Sequence, residues 1–139
     1  IRAPNMVVGR TGLLDLSRAR PPRPMREQAV AVTLPGRLRV TYLIARLLIS
    51  GGVLSVIQLV NQLILLGVEA RIATLFEDPM VYDWMPLYTR PLVYRSPAEL
   101  IAQSPPSDIV VATLWSTASW ARALVDGGQA RLGAYFIQD

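Results

Sequence analysis

The chain has 139 residues, about one domain, with a net charge of +4 and enough hydrophobic residues (52%) to bury a core. The absence of Cys excludes disulfides and thiolate metal sites. The absence of His excludes Ser–His and Cys–His catalysis and the usual base near neutral pH. All fourteen basic residues are Arg, which excludes a Lys Schiff base and a Walker lysine; a GC-rich genome produces the same bias.

The charge is unevenly placed. Residues 1–39 hold eight Arg against Asp15 and Glu27, whereas residues 40–139 hold six Arg against eight acids. The basic character thus belongs to the N-terminal segment. Within it, "VVGRTGLL" is expected to form a short piece of secondary structure. "SRARPPRPMREQ" follows, and Pro21, Pro22 and Pro24 block a regular helix and favour extended backbone. Residues 15–30 read as an irregular or disordered stretch, with Arg18, Arg20 and Arg23 expected in solvent because isolated buried charge is costly. The whole of 1–36 reads as a basic, Pro-rich leader. Three roles stay open for it: a solvated tail, a Pro-rich ligand for an aromatic groove, or a patch for anionic lipid or nucleic acid.

"PGR", Pro35 to Arg37, punctuates the chain, and the pattern then changes. "LRVTYLIA" is rich in β-branched and apolar residues and is of strand length. Beyond Gly51-Gly52, Val53, Val56, Ile57, Val60, Leu63 and Ile64 share one helical face, while Ser55, Gln58, Asn61 and Gln62 lie largely opposite. Gly67 stands where a left-handed helix cap is wanted, and "VEARIATLF" reads as the next strand. "RPLVYRS" is a short strand. Ser96, Pro97 and Glu99 open a short helix as cap, first-turn proline and capping-box acid. "DIVVATLW" is a continuous apolar run, as in a strand buried on both faces. "STASWARALVDGG" is a helix opened by Ser116 or Thr117 and closed by Gly127-Gly128, and "ARLGAYFIQD" is the last strand.

The strands are expected near 38–45, 69–75, 91–95, 108–114 and 132–138, with the first, fourth and fifth central or nearly so. Alternating strands and helices imply α/β architecture: a Rossmann-like, doubly wound parallel sheet. Gly51-Gly52 then falls between the first strand and the first helix, where glycine lets a phosphate or sugar approach a helix N-terminus. The spacing is neither G-x-G-x-x-G nor a Walker loop. A membrane span over 47–68 is the alternative, since those 22 residues carry no charge. Two adjacent Gly, two Ser, two Gln and one Asn inside it, with the polar residues sorted to one face, argue against that alternative.

"RVTYLIARLLISGGVLSVIQLVNQLILLGVEARIAT" resembles the start of a GT-B glycosyltransferase. "DIVVATLWSTASWA" followed by "AYFIQD" resembles, more narrowly, bacterial rhamnosyltransferase-like enzymes of the large retaining nucleotide-sugar family. The resemblance covers residues 38–139. It implies that 37–139 is the acceptor-binding N-terminal domain of a two-domain enzyme that moves a sugar from a nucleotide-sugar to a glycan or lipid-linked acceptor. Gly51, Gly52 and Val53 would face the donor phosphate or transferred sugar. Trp115, Ser116, Thr117 and Gln138 would line the acceptor side, and Asp139 would act as base or orient a hydroxyl. For Trp115 and Trp120 core packing is the competing role, and for Ser116 and Thr117 helix capping. The resemblance implies no cofactor besides the nucleotide-sugar substrate, no obligatory metal, no nucleic-acid partner, and a cytoplasmic location with peripheral contact at the inner membrane face. The donor pocket and Glu pair of the second domain are missing, so the chain is expected to be a fragment that does not transfer sugar alone. A non-catalytic binding or assembly module with a basic tail remains the other reading.

Overall fold

The computed structural model describes residues 6–9, 12–15 and 36–137. The chain divides into two compact units, 1–33 and 34–139. In the first, strands β1 (Met6–Gly9) and β2 (Gly12–Asp15) pair antiparallel as a two-stranded sheet, the secondary structure expected of "VVGRTGLL". The Pro/Arg stretch that fills most of 15–30, with Arg18, Arg20 and Arg23, lies outside the described residues.

The second unit is an α/β sheet. Strands β3 (Arg39–Ile44), β4 (Glu69–Thr74), β5 (Leu92–Val93), β6 (Ser107–Ala112) and β7 (Ala130–Tyr135) are all parallel, in the order β5-β4-β3-β6-β7. Side chains alternate between the faces of a strand, and two cores follow. Val40, Tyr42 and Ile44 of β3, with Ala70 and Ile72 of β4, pack under helix α1 (Gly51–Leu65) through Val56, Ile57 and Val60. Leu43, Ala73, Val110 and Ala112 face the other way, against Leu100 of α3 (Pro97–Gln103) and Trp120, Ala121 and Leu124 of α4 (Trp115–Asp126). Helices on both faces are what a parallel sheet requires.

Local chemistry sets the helix ends. Gly67, at φ 89°, terminates α1: Val68 N donates to Leu63 O at 2.9 Å and Gly67 N to Ile64 O at 3.0 Å, the paired bonds of a Schellman cap. At α3, Ser96 Oγ accepts from Glu99 N at 3.1 Å, with Pro97 in the first turn, as the sequence implies. The C-terminal turn of α4 runs through Gly127 and Gly128, the latter at φ 78°.

Two expectations need correction. The fifth strand, β7, is not near-central but forms the sheet's edge, and Arg131 to Tyr135 are exposed. Its apolar run reports strand propensity, but the return crossover through α4 sets its place. The strand begins at Ala130, where "ARLGAYFIQD" begins. As the polar residues within 47–68 argue, no helix runs the length of that stretch: α1 holds 15 residues, and among the described residues no helix is long and apolar enough to cross a membrane. Asn61, placed on the polar face by periodicity, is buried. Its Nδ2 donates to Pro86 O at 2.7 Å and its Oδ1 accepts from Tyr88 N at 2.9 Å, stitching the β4–β5 connection to α1. That connection carries a one-turn helix, α2 (Val81–Trp84), too short to show a period. Here Tyr82 donates to Glu77 at 2.6 Å, and burial together with that carboxylate pushes its phenol pKa up.

At the amino end of the sheet, polar groups from distant strands close on one another. Asp108 Oδ2 accepts from Arg39 N at 2.8 Å, and Asp108 Oδ1 lies 3.3 Å from the Arg39 guanidinium. These bonds hold the Asp108 carboxyl below its usual range. Alongside, Thr41 and Ser107 share a buried hydroxyl pair at 2.7 Å, and Arg71 Nε donates to Thr41 Oγ1 at 3.0 Å.

Candidate functional site

From β3 the chain winds outward through β4 to β5, then returns to the far side of β3 to form β6 and β7. The winding direction reverses between β3 and β6. In open parallel sheets this switch point leaves a crevice outside the strand carboxyl ends, since the two loops depart to opposite faces. A cavity of about 320 Å³ sits there, at the small end of the range for ligand sites. Ile44, Ala45 and Arg46 approach it from the end of β3, Thr113 and Leu114 from the end of β6, and Ser50, Gly52, Val53 and Val56 from the start of α1.

Each wall has a local cause. Ser50 caps α1 in extended backbone, and its Oγ accepts from Val53 N at 3.2 Å. After β3 the chain continues beside the end of β4: Leu47 N donates to Phe76 O at 2.8 Å and Asp78 N to Leu47 O at 3.0 Å. This places the Arg46 guanidinium 5.0 Å from the centroid of the Phe76 ring. On the β6 side, Thr117 organises the turn. Its Oγ1 accepts from Thr113 N and Leu114 N, both at 3.0 Å, and donates to Leu114 O at 2.9 Å. Thr113 Oγ1 in turn donates to Leu43 O at 2.8 Å, tying this turn to β3.

The sequence-derived site residues separate into groups. Gly51 and Gly52 are not a turn between strand and helix; they are the first two residues of α1 itself. Neither has positive φ, so the backbone does not demand glycine at either position. A Cβ on Gly51 would meet nothing within 4 Å. Gly52 and the half-buried Val53 line the crevice. Trp115, 83% exposed, begins α4 beside Leu114, whereas Trp120 is core. Ser116 is half-buried next to it. Thr117 is fully buried with its hydroxyl consumed by the turn, so it shapes the rim from beneath. The α4 helix therefore opens at Trp115, two residues ahead of Thr117, which caps it from inside the first turn. Gln138 and Asp139 lie outside the described residues.

Sequence reasoning missed Arg46, Ile49, Ser50 and Leu114. Ser50 before an apolar helix carried a cap signal; Arg46 and Leu114 carried none, because their role depends on two strand ends meeting. Among the described residues no group of three His, Cys, Asp or Glu side chains is arranged to hold a metal ion. Comparisons with protein-family models, with curated proteins and with solved structures find no match to this chain.

Proposed function

We propose that residues 37–139 are the acceptor-side half of a glycosyltransferase built from two Rossmann-like domains, working on a nucleotide-sugar held mainly by a second domain. The observation that carries this reading is the crevice at the switch point between β3 and β6, bordered by the glycine start of α1. The resemblance of 38–139 to such enzymes motivates it. In this reading Gly51 and Gly52 form the rim toward the donor, where small residues leave room for a diphosphate or a transferring sugar beside helix N–H groups. Leu114 and the exposed Trp115 form the acceptor rim, and Asp139 remains the candidate base. The enzyme would work in the cytoplasm at the membrane face, where nucleotide-sugars and lipid-linked acceptors meet.

The test is sugar transfer by the polypeptide that the complete gene encodes, with Gly52→Val and Trp115→Ala beside it. Loss of transfer in both variants, with melting temperatures within a few degrees of the parent, is the expected result. No transfer by the parent from a panel of nucleotide-sugars, or full transfer by Gly52→Val, overturns the reading.

A further inference from the structure

The crevice is an unusual place for a sugar chain. Its polar side chains are few and mostly engaged: Ser50 Oγ takes the Val53 N–H, and Thr113 Oγ1 is committed to Leu43 O. The remaining side-chain walls, Ile44, Leu48, Ile49, Val53, Val56 and Leu114, offer no hydrogen bonds. A glycan placed here would lose water from its hydroxyls without replacement, which is costly. An alkyl or isoprenoid chain loses nothing and gains burial in proportion to its apolar area. The apolar surface also continues outward, since Ile49 and Leu114 are 40% and 48% exposed and Trp115 follows directly.

Charge selects the other end of the ligand. Arg46 is the charged residue of the lining, and no ion pair to it is formed among the described residues. Its guanidinium is stacked on Phe76 rather than neutralised. The nearby acids are engaged elsewhere: Glu77 accepts the Tyr82 hydroxyl at 2.6 Å, and Asp78 Oδ1 accepts Met80 N at 3.0 Å. The mouth of an apolar crevice thus carries a cation that forms no ion pair among the described residues.

We infer that the crevice takes the chain-proximal part of a lipid phosphate, with the hydrocarbon between Val53, Ile49 and Leu114 and the phosphate at Arg46. This rests on the reading of the crevice as an acceptor site and narrows the acceptor to a lipid-linked one. The phosphate is matched by guanidinium hydrogen bonds, and the apolar walls supply the affinity.

Dodecyl phosphate, kept below its micelle concentration, is the probe, followed by methyl and amide chemical shifts of the chain. Saturable binding with shifts centred on Val53, Ile49 and Leu114 is expected. Dodecyl maltoside, with a neutral head, should bind about ten-fold more weakly, and inorganic phosphate and maltose should not shift these signals. Arg46→Gln should erase the preference for the phosphate head, and Ile49→Asn should weaken both alkyl probes. Leu132→Asn, on the exposed edge strand, should change neither. Equal loss in Leu132→Asn, or shifts from maltose matching those from dodecyl phosphate, overturns the inference. Two further outcomes separate it from the enzymatic reading. Selective dodecyl phosphate binding without sugar transfer by the polypeptide that the complete gene encodes removes the transferase and leaves the lipid site. Equal transfer to a soluble glycan and to a lipid-linked one removes the lipid site and leaves the transferase.

Discussion

The two ends of the parallel sheet are built on opposite principles. At the amino end, Arg39, Thr41, Arg71, Ser107 and Asp108 come together from three strands, and their side chains answer one another at 2.7–3.3 Å. At the carboxyl end, between β3 and β6, the lining is mostly apolar and open, with Arg46 its charged residue. A satisfied polar cluster has nothing left to offer a ligand, whereas an uncovered apolar cleft beside a cation that pairs with no acid among the described residues does. Stability and recognition are therefore separable in this molecule. Substitutions at the amino end should lower melting temperature and spare binding; those at the carboxyl rim should do the reverse.

The largest effect should come from the residue that breaks the division. Thr117 lies at the carboxyl end yet is fully buried and serves two backbone N–H groups. Thr117→Val keeps the shape and orphans both donors, at a cost of about 2–3 kcal/mol, a melting shift on the order of 10–20 °C for a domain this size. Thr117→Ser should restore most of it. The rim at Leu114 should also loosen, so ligand binding falls in parallel. A shift below a few degrees would mean that the turn does not depend on its threonine. Next comes Thr41→Val, which leaves the buried Ser107 hydroxyl and Arg71 Nε without their partner. A loss of about 1–3 kcal/mol in denaturant unfolding is expected, with dodecyl phosphate affinity unchanged. Weakened binding in this variant would show that the two ends are coupled.

Acid should act through the amino end, and more gently. Because the folded Asp108 carboxyl titrates below its ordinary value of about 3.9, its contribution is fully present above that value. It is lost as pH falls through the depressed folded value. The Arg39 side chain is 38% exposed, so solvent screens the pair. Melting curves from pH 6 to pH 2.5 should therefore show parent and Asp108→Asn converging at the acid end, with the parent ahead at neutral pH. Parallel curves would mean that this carboxylate carries no folding linkage.

The same contrast explains what could be read from the chain. The strands β3, β4 and β6 announce themselves as apolar, β-branched runs, and α1 by its period, because each buries a local pattern. Ser96-Pro97 and Gly67 announce helix ends through their own backbone chemistry. The amino-end cluster was silent: Arg39 and Asp108 are 69 positions apart, and single polar residues at strand starts look like solvent-facing ones. Asn61 was misread for the same reason, since its partners at Pro86 and Tyr88 belong to a connection with no period. At the crevice, the glycine pair was visible as a residue type out of place. Arg46 and Leu114 acquire meaning only when β3 and β6 lie side by side.

The smallest effect is the most discriminating. Gly51 begins α1 with room for a side chain, without positive φ, and exposed. Folding gains nothing from glycine there, and glycine loses more backbone entropy on ordering than alanine does. Gly51→Ala should therefore stabilise the fold by a few tenths to about 1 kcal/mol, a melting rise of a few degrees. Were the pair needed only to turn the chain, the same substitution would destabilise. If the helix start instead meets a ligand, the added methyl occupies the space that ligand uses. Under the proposed function, transfer by the polypeptide that the complete gene encodes should then fall while melting temperature rises. A rise in melting temperature with transfer untouched would remove Gly51 from the site and leave Gly52, which lines the crevice itself, to carry the donor rim. A fall in both would mean that the start of α1 is held by its glycine after all, and that the separation of stability from recognition fails at the point where it should be cleanest.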